Sequence, residues 1–137
     1  GDGQQVRDWL YVGDHCEAIR SVLANGRPGE VYNIGGNAEM RNLDVVHAIC
    51  DVLQGLRPRD GGYRGLVAFV ADRPGHDRRY AIDAGKIRAE LGWSPRESFT
   101  TGLARTVRWY LDNGAWLSAI QTREYQSWIS LQYETAA

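Results

Sequence analysis

Asp72-Arg73-Pro74-Gly75-His76-Asp77-Arg78-Arg79-Tyr80 places three arginines and a histidine around a Pro-Gly bend. The preceding run, Leu66 to Val70, reads as a strand, and Asp83 can cap a short helix that ends at Leu91 before the stop residue Gly92. A bend between a strand and a helix can present guanidinium and backbone N–H groups to a diphosphate. The competing reading is a solvated turn in which Asp72 and Asp77 pair with neighbouring arginines, an arrangement of little energetic consequence at a surface.

Upstream, Val6 to Val12 reads as a strand entering a helix at Asp14 to Ala24, with Ile19, Val22 and Leu23 on one face and Asn25-Gly26 ending it. Gly29 to Ile34 reads as a second strand closed by Gly35-Gly36, and Met40 falls in a polar loop. Asn42 is then expected to cap a helix with Leu43, Val46, Ile49 and Leu53 on one face. A loop from Gln54 to Gly65 follows this β-α-β-α order. Downstream of Gly92, Trp93-Ser94-Pro95 is a turn, and Thr100 or Thr101 opens an amphipathic helix carrying Leu103, Val107, Tyr110 and Leu111, broken by Asn113-Gly114. Trp116 to Tyr133 reads as helical in pieces, with Tyr125, Trp128 and Tyr133 suited to core or subunit contacts.

The chain has 137 residues, 43% of them hydrophobic, enough for one core. It opens on Gly1-Asp2-Gly3 and its one methionine is Met40, so it reads as cut from something longer. Net charge is −1, which argues against a nucleic-acid or membrane-surface partner and leaves only local anion binding. Lys86 is the sole lysine among 16 basic residues, so arginine alone is a bias of usage and only clustered arginines count. Cys16 and Cys50 belong to no CxxC pair and read as buried thiols of a reducing compartment; with no long apolar run and no signal-peptide pattern, the cytoplasm is the expected location.

Neither GxGxxG nor GxxxxGK[ST] occurs, so no glycine-rich phosphate cradle is present. Ile82 stands four before Lys86, which excludes a Tyr-xxx-Lys base. GxSxG, HExxH and paired-cysteine metal sites are absent, and His47-xx-Cys50 offers only two ligands, too few for a metal site. Arg7, ahead of a rigid aromatic stretch, is a second candidate anion contact whose alternative is an ion pair with Asp8. Asn42 suits a helix cap and, through the helix N-terminus, an anion.

GDGQQVRDWLYVGDH, EVYNIGGNAEMRNLDVV, DRPGHDRRYAID, ELGW and YQSWI, in this order and spacing, closely resemble the C-terminal portion of dTDP-glucose 4,6-dehydratases of the extended short-chain dehydrogenase/reductase superfamily. The resemblance implies an α/β fold: residues 1–137 as the C-terminal part of a Rossmann-like parent, adding a strand or two to its parallel sheet and a small helical substrate-binding lobe. It implies that Arg7 and Asn42 help hold the nucleotide diphosphate, that Asp72, Arg73, Pro74, Gly75 and His76 line the nucleotide-sugar site, and that Tyr133 reaches it. It further implies a homodimeric parent using NAD on dTDP-glucose. The tyrosine-lysine base, the acidic dehydration pair and the NAD-binding glycines belong to an N-terminal half that this sequence lacks. Alone, the chain is then expected to bind no NAD, to carry no catalytic residue and to be inactive. A related UDP- or GDP-sugar dehydratase, decarboxylase or epimerase is the alternative within the class, and a non-catalytic sugar-nucleotide-binding module the alternative outside it.

Overall fold

A computed structural model describes residues 1–120, so Tyr125, Trp128 and Tyr133 lie outside the described residues. The chain runs through β1 (Val6–Asp8), α1 (Val12–Asn25), β2 (Glu39–Arg41), α2 (Asn42–Leu56), a 3-10 turn (Arg64–Leu66), α3 (Gly85–Leu91), α4 (Phe99–Asp112) and α5 (Gly114–Ile120). The architecture is α/β, with α2 against α4, α1 against α3 and a small sheet at one side. Ala18, Val45, Cys50, Ile87 and Val107 form the buried apolar core among the described residues.

The helices follow local rules. Ser98 precedes α4 and its hydroxyl accepts from the Thr101 N–H at 3.2 Å, satisfying one of the donors a helix start leaves open. Thr101 thus lies in the first turn. Asn113 ends α4 and Gly92 ends α3, the latter donating its N–H to Arg88 O at 3.1 Å. Asp83 precedes α3 by two residues, and its carboxylate accepts from Gly85 N–H at 2.7 Å, but Ala84 is the cap residue. The buried Asp14 on α1 accepts from the Arg96 and Glu97 N–H groups at 3.1 and 2.9 Å, tying α1 to the loop that enters α4.

The strands depart from the sequence-based expectation. β1 ends at Asp8, and α1 begins at Val12 rather than Asp14. Gly29 to Ile34 forms no strand, because a strand exists only where a neighbour supplies its ladder, and none stands beside it among the described residues. Instead Glu39–Arg41, read as polar loop, pairs antiparallel with β1 in the register Val6↔Arg41, Arg7↔Met40 and Asp8↔Glu39. The pairing is built by Asp8, whose carboxylate accepts from Gly36 N–H at 2.8 Å and Ala38 N–H at 2.7 Å and swings the chain alongside. Gly36 must be glycine here, since a Cβ would lie 2.0 Å from Trp9 O. Leu66 to Val70 is likewise no strand; the 3-10 turn, anchored by Arg64 on Asp51, leads into an exposed run.

Three further expectations are corrected. Asn42 does not cap α2: Arg41 is the cap residue, Asn42 is the first helical residue, and no side chain caps this end. On α1, Ile19 and Leu23 are exposed, Leu23 by 82%, while Ala18 is buried; a short side chain is what the close approach of α3 admits. Cys16 is exposed on α1 and only Cys50 is buried, because Cys16 falls on the turned-out side of its helix.

Candidate functional site

β1 organises the site because both of its edges are used. On one it pairs with β2. On the other, Val6 N–H donates to Arg78 O at 2.8 Å and Tyr80 N–H donates to Val6 O at 3.1 Å, a parallel bridge to Arg79. The segment from Asp72 to Tyr80 is thereby anchored at its far end to the strand that carries Arg7. Opposed residues of an antiparallel pair project from the same face and neighbours alternate. Asn42 N–H donates to Gln5 O at 2.9 Å, extending the register. Arg7 and Met40 therefore share one face, and Gln5 O holds the start of α2 at Asn42 beside β1.

The arginines divide into two kinds. Arg79 donates to Glu39 through Nε at 2.6 Å and a second nitrogen at 2.9 Å, a bidentate pair that holds its guanidinium above its ordinary pKa. Arg78 pairs with Asp2 at 3.2 Å. Arg7 donates only to carbonyls, Val6 O at 2.6 Å and Asp77 O at 3.0 Å, with its guanidinium 4.4 Å from the centre of the Tyr80 ring. Among the described residues no carboxylate pairs with Arg7 or with the exposed Arg73. Both cations nonetheless lie near Tyr80: a hydrogen bond to Asp77 raises its phenol above the ordinary value, and the charges of Arg7 and Arg73 work against that rise.

The acidic residues of the segment do not neutralise its arginines. The Asp72 carboxylate meets His76 Nδ1 at 2.7 Å and accepts from Arg73 N–H at 3.0 Å and Gln5 Nε2 at 2.7 Å. Its pKa is held below the ordinary 3.8, first by the His76 hydrogen bond. Asp77 accepts from the Tyr80 hydroxyl. Gly75, at φ 68°, makes the bend between them, a conformation costly for any residue with a Cβ. Asp72 and Asp77 thus do not pair with the neighbouring arginines as the solvated-turn reading had it, although the segment is exposed at every residue but His76. Nor do the first amides of α2 await an anion: Asn42 N–H is taken by Gln5 O and Leu43 N–H by Gly3 O at 2.9 Å, so Asn42 can meet a ligand only through its side chain.

A cleft of about 450 Å³ lies elsewhere, between His15, Tyr32 to Ile34 and Ala81 to Asp83. It carries no arginine. Sequence reasoning missed Gln5 and Asp8. A glutamine or aspartate beside a short strand carries no local signal; each acts through partners about 30 or more residues away.

Comparison with known proteins fixes the class. A family model described as GDP-mannose 4,6 dehydratase matches residues 1–106, and the chain belongs to this family. Within it, the chain is 55% identical over 134 residues to a dTDP-glucose 4,6-dehydratase of Salmonella typhimurium, covering 98% of this chain and 37% of the relative. It is 57% identical over 128 residues to the enzyme of that name from Xanthomonas campestris, covering 92% of this chain and 36% of the relative. Among solved structures, DesIV, a dTDP-glucose 4,6-dehydratase from Streptomyces venezuelae with NAD and TYD bound, superposes with a TM-score of 0.75 at 49% identity, over 85% of this chain and 34% of that one. The chain thus spans little more than a third of the length of these relatives, and its fold is that of a part of an extended short-chain dehydrogenase.

Proposed function

We propose that this chain is the nucleotide-sugar-holding part of a dTDP-glucose 4,6-dehydratase. The observation that carries the reading is the pair Arg7 and Arg73, two guanidinium groups near one tyrosine with no carboxylate partner among the described residues, while Arg78 and Arg79 are consumed by Asp2 and Glu39. A hydrogen bond to a charged group contributes about 1.5–3 kcal/mol net, so two arginines on a diphosphate supply much of a micromolar affinity. The Asn42 carboxamide adds a neutral donor, and His76, oriented by Asp72, adds a ring nitrogen. Pro74 and Gly75 shape the bend, and Tyr133 is proposed to reach the same ligand.

Asp72 is assigned to holding His76 rather than touching phosphate, since its carboxylate would repel an anion. No glycine-rich dinucleotide turn occurs in the sequence, so the residues present do not fit NAD. When bound by the longer enzyme, NAD would supply the oxidation at the sugar. The resemblance supports a homodimeric, cytoplasmic parent.

Two measurements test this. Calorimetry on the full-length enzyme with dTDP, UDP and GDP is expected to rank dTDP first; a preference for UDP or GDP would move the chain to a related nucleotide-sugar enzyme. The 137-residue chain incubated with dTDP-glucose and NAD is expected to give no 4-keto-6-deoxy product, and turnover would overturn the assignment of chemistry to the remainder.

A further inference from the structure

We infer that Gln5 is a positioning residue for the nucleotide-diphosphate site, acting through Asp72 on His76; the inference rests on the function proposed above. Gln5 is 4% exposed, one of two buried polar residues among those described. A buried carboxamide must find partners, and Gln5 is held through its side chain and its backbone alike. Its backbone carbonyl accepts from Asn42 N–H at 2.9 Å, and its Nε2 donates to Asp72 Oδ2 at 2.7 Å. One residue thereby fixes both the start of α2 and the start of the Asp72–Tyr80 segment.

The other carboxylate oxygen of Asp72 is what His76 and Arg73 use. Oδ1 accepts from Arg73 N–H at 3.0 Å and faces His76 Nδ1 at 2.7 Å. A carboxylate only accepts, so Nδ1 carries the proton and Nε2 is the nitrogen left to meet a ligand. With Gln5 on Oδ2, the carboxylate cannot turn about its own axis without breaking a part-buried hydrogen bond. Without Gln5, Asp72, whose side chain is 41% exposed, is free to rotate toward solvent and releases His76. Arg73 follows, because its backbone N–H is held by the same oxygen. The buried amide thus anchors the near end of an exposed cationic loop whose far end is held by Val6; Pro74 and Gly75 between them are both exposed.

The test uses the full-length enzyme and dTDP as probe. Gln5→Leu is expected to weaken dTDP binding by about tenfold, the scale of one hydrogen bond to a charged group. Asp72→Ala is expected to do the same, and the double variant to be no worse than either, since the two residues act in series. The downfield proton resonance of His76 Nδ1–H, present in the wild type, is expected to vanish in both single variants, a signature that a general loss of stability does not produce. If Gln5→Leu does not fold, Gln5→Met, which keeps the side-chain length, carries the same measurements. Wild-type affinity in the Gln5 variant, additive losses in the double variant, or a retained His76 resonance would each overturn the inference. If Arg7→Ala, Arg73→Ala and Asp72→Ala all leave dTDP binding unchanged, the proposed function itself has failed; if they weaken it and the Gln5 variant does not, only this inference has.

Discussion

The β1 side of the molecule and the outer side of α1 are built on opposite principles. Around β1, polar groups are committed to partners: Asp8 to two amides, Asp72 to three groups, Arg79 to Glu39. The outer side carries apolar groups without cover among the described residues, with Leu23 82% and Ile19 43% exposed. The difference teaches that the polar side around β1 is specified among the described residues, whereas the outer side of α1 is not covered by them. On the β1 side, the two cations left over stand out because everything near them is spent.

Substitutions sharpen that contrast. Gly36→Ala forces a Cβ against Trp9 O, which is backbone and cannot yield locally; unfolding in urea is expected to show a loss of about 3 kcal/mol. A loss under about 0.5 kcal/mol would mean that the Asp8-pinned turn does not set the β1–β2 register. Arg7→Ala and Arg73→Ala are each expected to weaken dTDP binding by about tenfold or more by calorimetry, the scale of about 1.5–3 kcal/mol, with thermal stability kept. Arg78→Ala and Arg79→Ala should change binding by less than about threefold; equal losses in all four variants would erase the division between spent and unspent arginines.

Acid provides a third probe. The folded pKa of Asp72 is depressed, so its contribution to stability is full above 3.8 and is lost as the pH falls below that value through the folded pKa. The melting difference between wild type and Asp72→Asn should therefore stay flat from pH 7 to pH 5 and close only below 3.8. A difference that closes near neutrality would remove Asp72 from the polar network. The smallest effect is expected on the other side: Leu23→Ser should alter the unfolding free energy of the chain by no more than about 0.5 kcal/mol while reducing its aggregation. A larger loss would show that α1 buries this side chain after all.

Reading the sequence captured α4, though it opened the helix at Thr100 or Thr101 where the structure begins it at Phe99 behind the Ser98 cap, together with the stop at Gly92, the break at Asn113-Gly114 and the cationic segment around Pro74-Gly75. It did not capture β2, because nothing within Glu39-Met40-Arg41 favours a strand; Asp8, about 30 residues away, makes it one. Nor did it separate the arginines. Arg78 is neutralised by Asp2 and Arg79 by Glu39, separations of 76 and 40 residues that no local pattern encodes.

What the sequence alone determined is whatever closes within a turn or two of helix: hydrogen bonds four residues long, hydroxyl caps, glycine stops, and the presence of a positively charged bend. The tertiary structure decided which extended segments became strands, which face of α1 was left open, and which guanidinium groups around β1 found a carboxylate. Ladders and ion pairs join residues far apart in the chain, so their partners exist only once it has folded.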